Sequence, residues 1–159
     1  GVYNKFIDNG LVLDKKRRAN VFAIDFNTII PEANTSITTE FAWVFADIPE
    51  DYTQQYGSKQ QGGFIDFVQP LMKRKMFGFE RASLNAAVRL QYVDWNIGTF
   101  KETGGNIADN VFAVVPAISF RFSSQTVLRL NYGYQWHTDI FGNPPARTGT
   151  LQFGISSYF

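Results

Sequence analysis

The chain has one histidine, His137, and no cysteine. His137 stands two residues before Asp139 in the run Gln135-Trp136-His137-Thr138-Asp139. A His with an acid and a Ser is the set that acyl transfer or lipid deacylation requires. The serines a neighbouring strand could bring, Ser156 and Ser157, belong near the opposite end of the pattern set out below. No triad is expected, and the chain reads as a non-enzyme. A zinc site wants three or four converging ligands, which one His and scattered carboxylates do not supply; neither metal nor cofactor is expected. Gly104-Gly105-Asn106 lacks the strand-to-helix context of a phosphate cradle. Asn143-Pro144-Pro145 marks a rigid loop turn. What remains is a set of charged and polar side chains at alternating positions: Arg89, Arg121, Arg129, Asn131, Gln135, His137, Asp25, Glu40, Gln152 and, less regularly, Asp66. Their chemistry is that of a polar wall facing water or a solute.

The elements that must position them alternate with period two, the signature of a strand. From Thr126 to Thr138 the even positions carry Leu128, Leu130, Tyr132, Tyr134 and Trp136, against Arg129, Asn131, Gln135 and His137. The same reading holds for Asn110 to Phe122, Ser83 to Trp95, Ser36 to Ala46, Ala19 to Thr28 and Gly149 to Phe159. Gly62 to Met72 also reads as a strand, but Asp66 and Gln69 fall on opposite faces and leave its orientation open. The result is seven strands of roughly ten to thirteen residues. Soluble strands usually run about five or six residues, and membrane-spanning strands about nine to eleven.

Composition agrees. Aromatics reach 16% at a mean hydropathy of only −0.16. No apolar run is long enough for a membrane helix. The 15 basic and 14 acidic residues nearly cancel, so nothing favours nucleic acid. A soluble β-sandwich also alternates. Against it stand the long strands, the aromatic apolar faces and the alternation of short connections (31–35, 123–125) with long ones (48–61, 97–109, 140–148). The stretch 73–81 is an exception, too long for a short turn. The expected fold is therefore an all-β, antiparallel, up-and-down transmembrane barrel occupying residues 1–159, with 1–18 as an extracellular loop. In such barrels short turns face the periplasm. Trp43, Trp95 and Trp136, with Tyr92 and Tyr134, then form an aromatic girdle at the outer rim, although Trp95 has the wrong parity to face lipid.

The last strand carries Leu151, Phe153, Ile155, Tyr158 and Phe159 and resembles the C-terminal assembly signal of bacterial outer-membrane proteins. The stretches GGFIDFVQP, AAVRLQYVDWN, PAISFRFSSQTVLRLNYGYQW and GTLQFGISSYF resemble the last strands of porins of the Bacteroidota and phosphate-selective type. The likeness covers most of residues 19–159. It implies a Gram-negative outer-membrane channel for passive diffusion of small solutes. Its implied partners are outer-membrane lipid and lipopolysaccharide, the barrel-assembly machinery, and a homotrimer or other envelope proteins. It assigns no specific binding residue. Seven strands depart from the even number of single-chain bacterial barrels, so the chain is expected to be the C-terminal part of a larger barrel.

Two readings of the polar wall stay open. Arg89, Arg121 and Arg129 on one part and Asp25, Glu40 and Asp66 on another would set a transverse field across a pore; alternatively they pair and fill a small interior. Val111, Ala113, Val115 and Ala117 make the strand from Asn110 apolar on both faces. A plug, an inserted loop, a neighbouring subunit or a tightly filled interior would cover them, which keeps a scaffold barrel as the alternative function. A small lipid-modifying barrel enzyme is the least favoured. Asp14-Lys15-Lys16-Arg17-Arg18 is either solvated or meets lipid phosphates. Lys73, Arg74, Lys75 and Arg81, beside Phe77 and Phe79, offer a surface to periplasmic partners.

Overall fold

A computed structural model describes residues 7–8, 11–12, 18–48 and 57–158. The expectation placed on Phe159, and most of that placed on residues 1–18, lies outside them. Within that first segment β1 (Ile7–Asp8) and β2 (Leu11–Val12) pair as a small hairpin. The rest is β3 (Ala19–Ile30), β4 (Thr35–Ala46), β5 (Lys59–Met76), β6 (Phe79–Asp94), β7 (Gly98–Thr99), β8 (Asn106–Ile107), β9 (Asn110–Arg121), β10 (Thr126–Thr138) and β11 (Ala146–Ser157). No helix occurs among the described residues.

The seven long strands form one antiparallel sheet in the order β11-β10-β9-β6-β5-β4-β3. Each pairs with its neighbours along the chain, so the topology is an up-and-down meander. The β7–β8 hairpin lies inside the long β6–β9 connection. The sheet is open: among the described residues β3 and β11 do not pair with each other. All-β architecture and meander order agree with the sequence pattern.

Register joins the faces strand by strand. Phe22 lies opposite Trp43, Ile24 opposite Phe41 and Phe41 opposite Gly63. Tyr92 lies opposite Phe112, Phe112 opposite Trp136, and Leu130 opposite Phe153. Every apolar run therefore falls on one face. The register also resolves the ambiguous fifth strand. Asp66, opposite Thr38 and Arg89, is on the polar face. Gln69 is on the apolar face near the turns, where its amide donates to the Ala33 carbonyl and its oxygen accepts from Thr35 Oγ1. The apolar face is uncovered: Phe22 is 62%, Ile24 63% and Phe153 71% exposed. Among the described residues the buried apolar side chains are only Ala82, Ile107, Ala113 and Val127.

The two ends of the sheet differ. At one end the connections are residues 31–34, 77–78 and 122–125; at the other they are 47–58, 95–109 and 139–145. The expected exception at 73–81 disappears, because β5 and β6 run on to a two-residue turn at Phe77-Gly78. Both residues have positive φ, 53° and 85°, as a type I′ hairpin turn requires. Gly accepts this freely, while a Cβ-bearing residue pays about 1–2 kcal/mol. Register shifts between Pro70 and Met72 and between Arg74 and Met76 mark bulges that bend this hairpin. Pro70 fits beside such a break because it has no N–H for the ladder.

Two glycines on the apolar face are set by close approach. A Cβ on Gly63 would lie 2.4 Å from the Glu40 carbonyl oxygen and 2.7 Å from the Phe41 ring. A Cβ on Gly149 would meet the Tyr132 hydroxyl at 2.5 Å. In both places a neighbouring aromatic ring covers bare backbone.

Candidate functional site

The polar face is concave. It holds a groove of about 900 Å³ between β5, β6, β9, β10 and β11. Arg89, Arg121, Arg129, Asn131, Gln135 and Gln152 all line it, brought together by alternation and register. Asp66 joins them.

Asp66 and Arg89 are direct cross-strand partners. Arg89 Nε and Nη2 donate to the two carboxylate oxygens of Asp66, each at 2.7 Å. The guanidinium also lies 4.2 Å from the centre of the Phe64 ring, so it is held in a bidentate ion pair and a cation–π contact together. Phe64 was not singled out in the sequence. Its period-two position on the polar face of β5 becomes legible only once the register is known.

Arg121 and Arg129 have no acidic partner among the described residues. Arg129 lies opposite Ser119 and Gly154, and Arg121 opposite Ser83 and Val127. Asn131 donates to Gln152 Oε1 at 2.8 Å, and Asn85 to Ser119 Oγ at 3.4 Å. Ala113, Val115 and Ala117 make a smooth apolar strip between these polar groups. Asp25 and Glu40 stand outside the groove, directly opposite each other on β3 and β4. Two like charges in that relation repel. The wall therefore grades from an acidic pair, through the neutralised Asp66–Arg89 pair, to two unpaired arginines.

His137 is at the long-loop end, opposite Val111 and Ala146. Its Nε2 is 3.9 Å from Asp109 Oδ1, and its ring meets Trp95 edge-on at 6.0 Å. Ser156 lies opposite Val127 at the other end of β10, so His137 and the terminal serines do not meet. Trp95 thus sits on the polar side. Trp43, Tyr92, Tyr134 and Trp136 share the apolar face at the loop end, with Phe112 stacked on Trp136 at 5.6 Å. Of the terminal aromatic and aliphatic residues, Leu151, Phe153 and Ile155 are on the apolar face, and the Tyr158 N–H donates to the Gln125 carbonyl at 3.1 Å.

Asn96 was also missed; nothing in its local sequence distinguishes it from any loop Asn. It is the one buried polar residue among the described ones. Its Nδ2 donates to Asp109 Oδ2, and its Oδ1 accepts from the Gly57 N–H. Asp109 adopts φ 88°, and its N–H donates to the Asp139 carbonyl at 3.1 Å. Asp139 in turn accepts from the Asn143 side chain at 2.7 Å and from the Asn143 and Phe141 N–H groups. Those donors, the Asn143 amide foremost, hold the Asp139 carboxyl below its ordinary pKa. Three loops are thereby tied into one rim.

Comparison with protein-family models, with curated proteins and with solved structures finds no match to this chain.

Proposed function

We propose that this chain forms seven strands of an outer-membrane β-barrel whose polar face lines a passage for passive diffusion of small hydrophilic solutes or ions. The observation that carries the reading is the sidedness of the sheet: an uncovered aromatic and aliphatic face backs a concave polar groove. Strands of 12 residues are about 40 Å long at 3.3 Å per residue. Tilted about 45°, they rise about 28 Å, enough for the apolar band of about 25 Å in such barrels. In lipid every backbone polar group needs a partner, so the open edges of β3 and β11 call for further strands, which a larger barrel supplies. The partners that follow are membrane lipid and lipopolysaccharide, the barrel-assembly machinery, and a homotrimer or other envelope proteins.

A second reading, a scaffold barrel with a plugged lumen, is favoured by the apolar strip of Ala113, Val115 and Ala117 on the groove wall. Planar-bilayer recording of the full-length protein separates the two. The porin reading expects steady conductance, with Arg121→Gln plus Arg129→Gln moving the reversal potential in a salt gradient toward cation preference. Absence of conductance gives the scaffold reading; conductance with an unmoved reversal potential removes the two arginines from the pore.

A further inference from the structure

We propose that the β5–β6 hairpin is a docking surface for anionic phospholipid headgroups of the leaflet at the short-turn end. This rests on the membrane reading above. The hairpin is the longest pair in the sheet, with 18 and 16 residues, and its tip does not extend the sheet in line. Phe77, at the tip, lies 5.8 Å from Phe120, which belongs opposite Leu84 well back along β6. Phe79 lies 4.9 Å from Phe122, and Phe122 4.7 Å from Phe120. The bulged end of the hairpin therefore brings its rings back beside Phe120 and Phe122, and Ala82, within the hairpin and opposite Arg74, is completely buried.

The result is an aromatic tetrad at the turn end, the counterpart of the Trp and Tyr band at the loop end. Cations stand beside it. Lys73, Arg74, Lys75 and Arg81 are all exposed. Lys75 is paired with Glu80, while Lys73, Arg74 and Arg81 have no acidic partner among the described residues. Aromatic rings next to unpaired cations, continuous with a lipid-facing surface, match an interface where acyl chains give way to negative headgroups.

The turn adds an independent indication. Phe77 holds φ 53° and is 86% exposed, where Asn or Gly would fit with less strain. Stability does not explain a strained, exposed aromatic; insertion into a lipid interface does.

The test measures partition of the full-length protein between vesicles of phosphatidylcholine alone and phosphatidylcholine mixed with phosphatidylglycerol. Lys73→Gln, Arg74→Gln and Arg81→Gln are combined in one variant, leaving the Lys75–Glu80 pair. Each surface cation contributes about fivefold, so the combined variant is expected to lose roughly a hundredfold of its preference for the anionic vesicles. Phe77→Asn suits the turn and is expected to fold at least as well as the parent, yet to bind both vesicle types more weakly. Equal partition of parent and combined variant overturns the proposal. So does competition by millimolar inorganic phosphate, which would mean a simple ion site, or cross-linking that places the hairpin inside an oligomer interface. Conductance is recorded on the same samples: a conducting protein without headgroup preference sinks only the docking surface, whereas failure to insert in either vesicle sinks the membrane reading.

Discussion

Replacing Asp66 with Asn tests the wall of the groove most sharply. It keeps the side chain's size and removes the charge that two Arg89 N–H groups share at 2.7 Å. Two unit charges about 4 Å apart attract by about 4 kcal/mol at an effective dielectric of 20. Water weakens this, because the Arg89 and Asp66 side chains are 42% and 21% exposed. Fully exposed pairs are worth about 0–1 kcal/mol, and breaking a buried one costs about 3–5. The intermediate setting, with one hydrogen bond to Asn retained, gives a loss of about 1–2 kcal/mol. That is read as a fall in the urea midpoint of heat-modifiable gel mobility. Asp66→Asn also leaves Arg89 as a third unpaired cation beside Arg121 and Arg129, so the reversal potential is expected to move toward anions. Arg89→Gln alone should move it the other way, and the double variant should restore it. Additive stability losses in that double-mutant cycle, with no coupling, would refute a working ion pair.

The two close-approach glycines should respond differently. Gly63→Ala drives a methyl into the Glu40 carbonyl at 2.4 Å, which only a backbone shift relieves, at about 2–3 kcal/mol. Gly149→Ala meets the movable Tyr132 hydroxyl and should cost below about 1 kcal/mol; equal midpoints for the two variants would show that strand spacing is not the constraint. At the rim, the Asp139 carboxyl has a lowered pKa in the folded protein. Its contribution is therefore complete above the unfolded value of about 3.9 and is lost as pH falls through the lower folded value. The Asn143 side-chain amide resonance is expected to shift only in that acid range, and Asp139→Asn to abolish the shift.

Much of this was legible in the alternation itself. Thr126 to Thr138 is found with the same bounds as a strand, and in each other clearly alternating segment the register brings the aromatic and aliphatic positions onto one face. Asp66 could not be placed from the sequence, since a single strand with polar residues of both parities does not say which face is wet; pairing with Thr38 and Arg89 does. The extent of the β5–β6 hairpin was hidden for a different reason. Basic residues around Phe77-Gly78 look like loop in the sequence, and the cross-strand ladder that carries β5 and β6 on to Met76 and Phe79 is visible only once the two strands are paired. Asn96 and Asp109 were invisible because their partners, Gly57 and Asp139, come from loops distant in sequence.

In a membrane barrel the apolar face meets lipid while the opposite face meets water. The chain has no native cysteine, so single nitroxide labels can be placed from Leu128 to Trp136 along β10 in membrane-reconstituted full-length protein. Collision with molecular oxygen, which concentrates in lipid, and with a water-soluble nickel chelate is then measured at each site. The expected pattern has period two: sites 128, 130, 132, 134 and 136 accessible to oxygen and not to nickel, and sites 129, 131, 133 and 135 accessible to nickel. Even sites shielded from both reagents would mean a packed protein core, and even sites open to nickel would mean an aqueous surface; either result contradicts the membrane barrel.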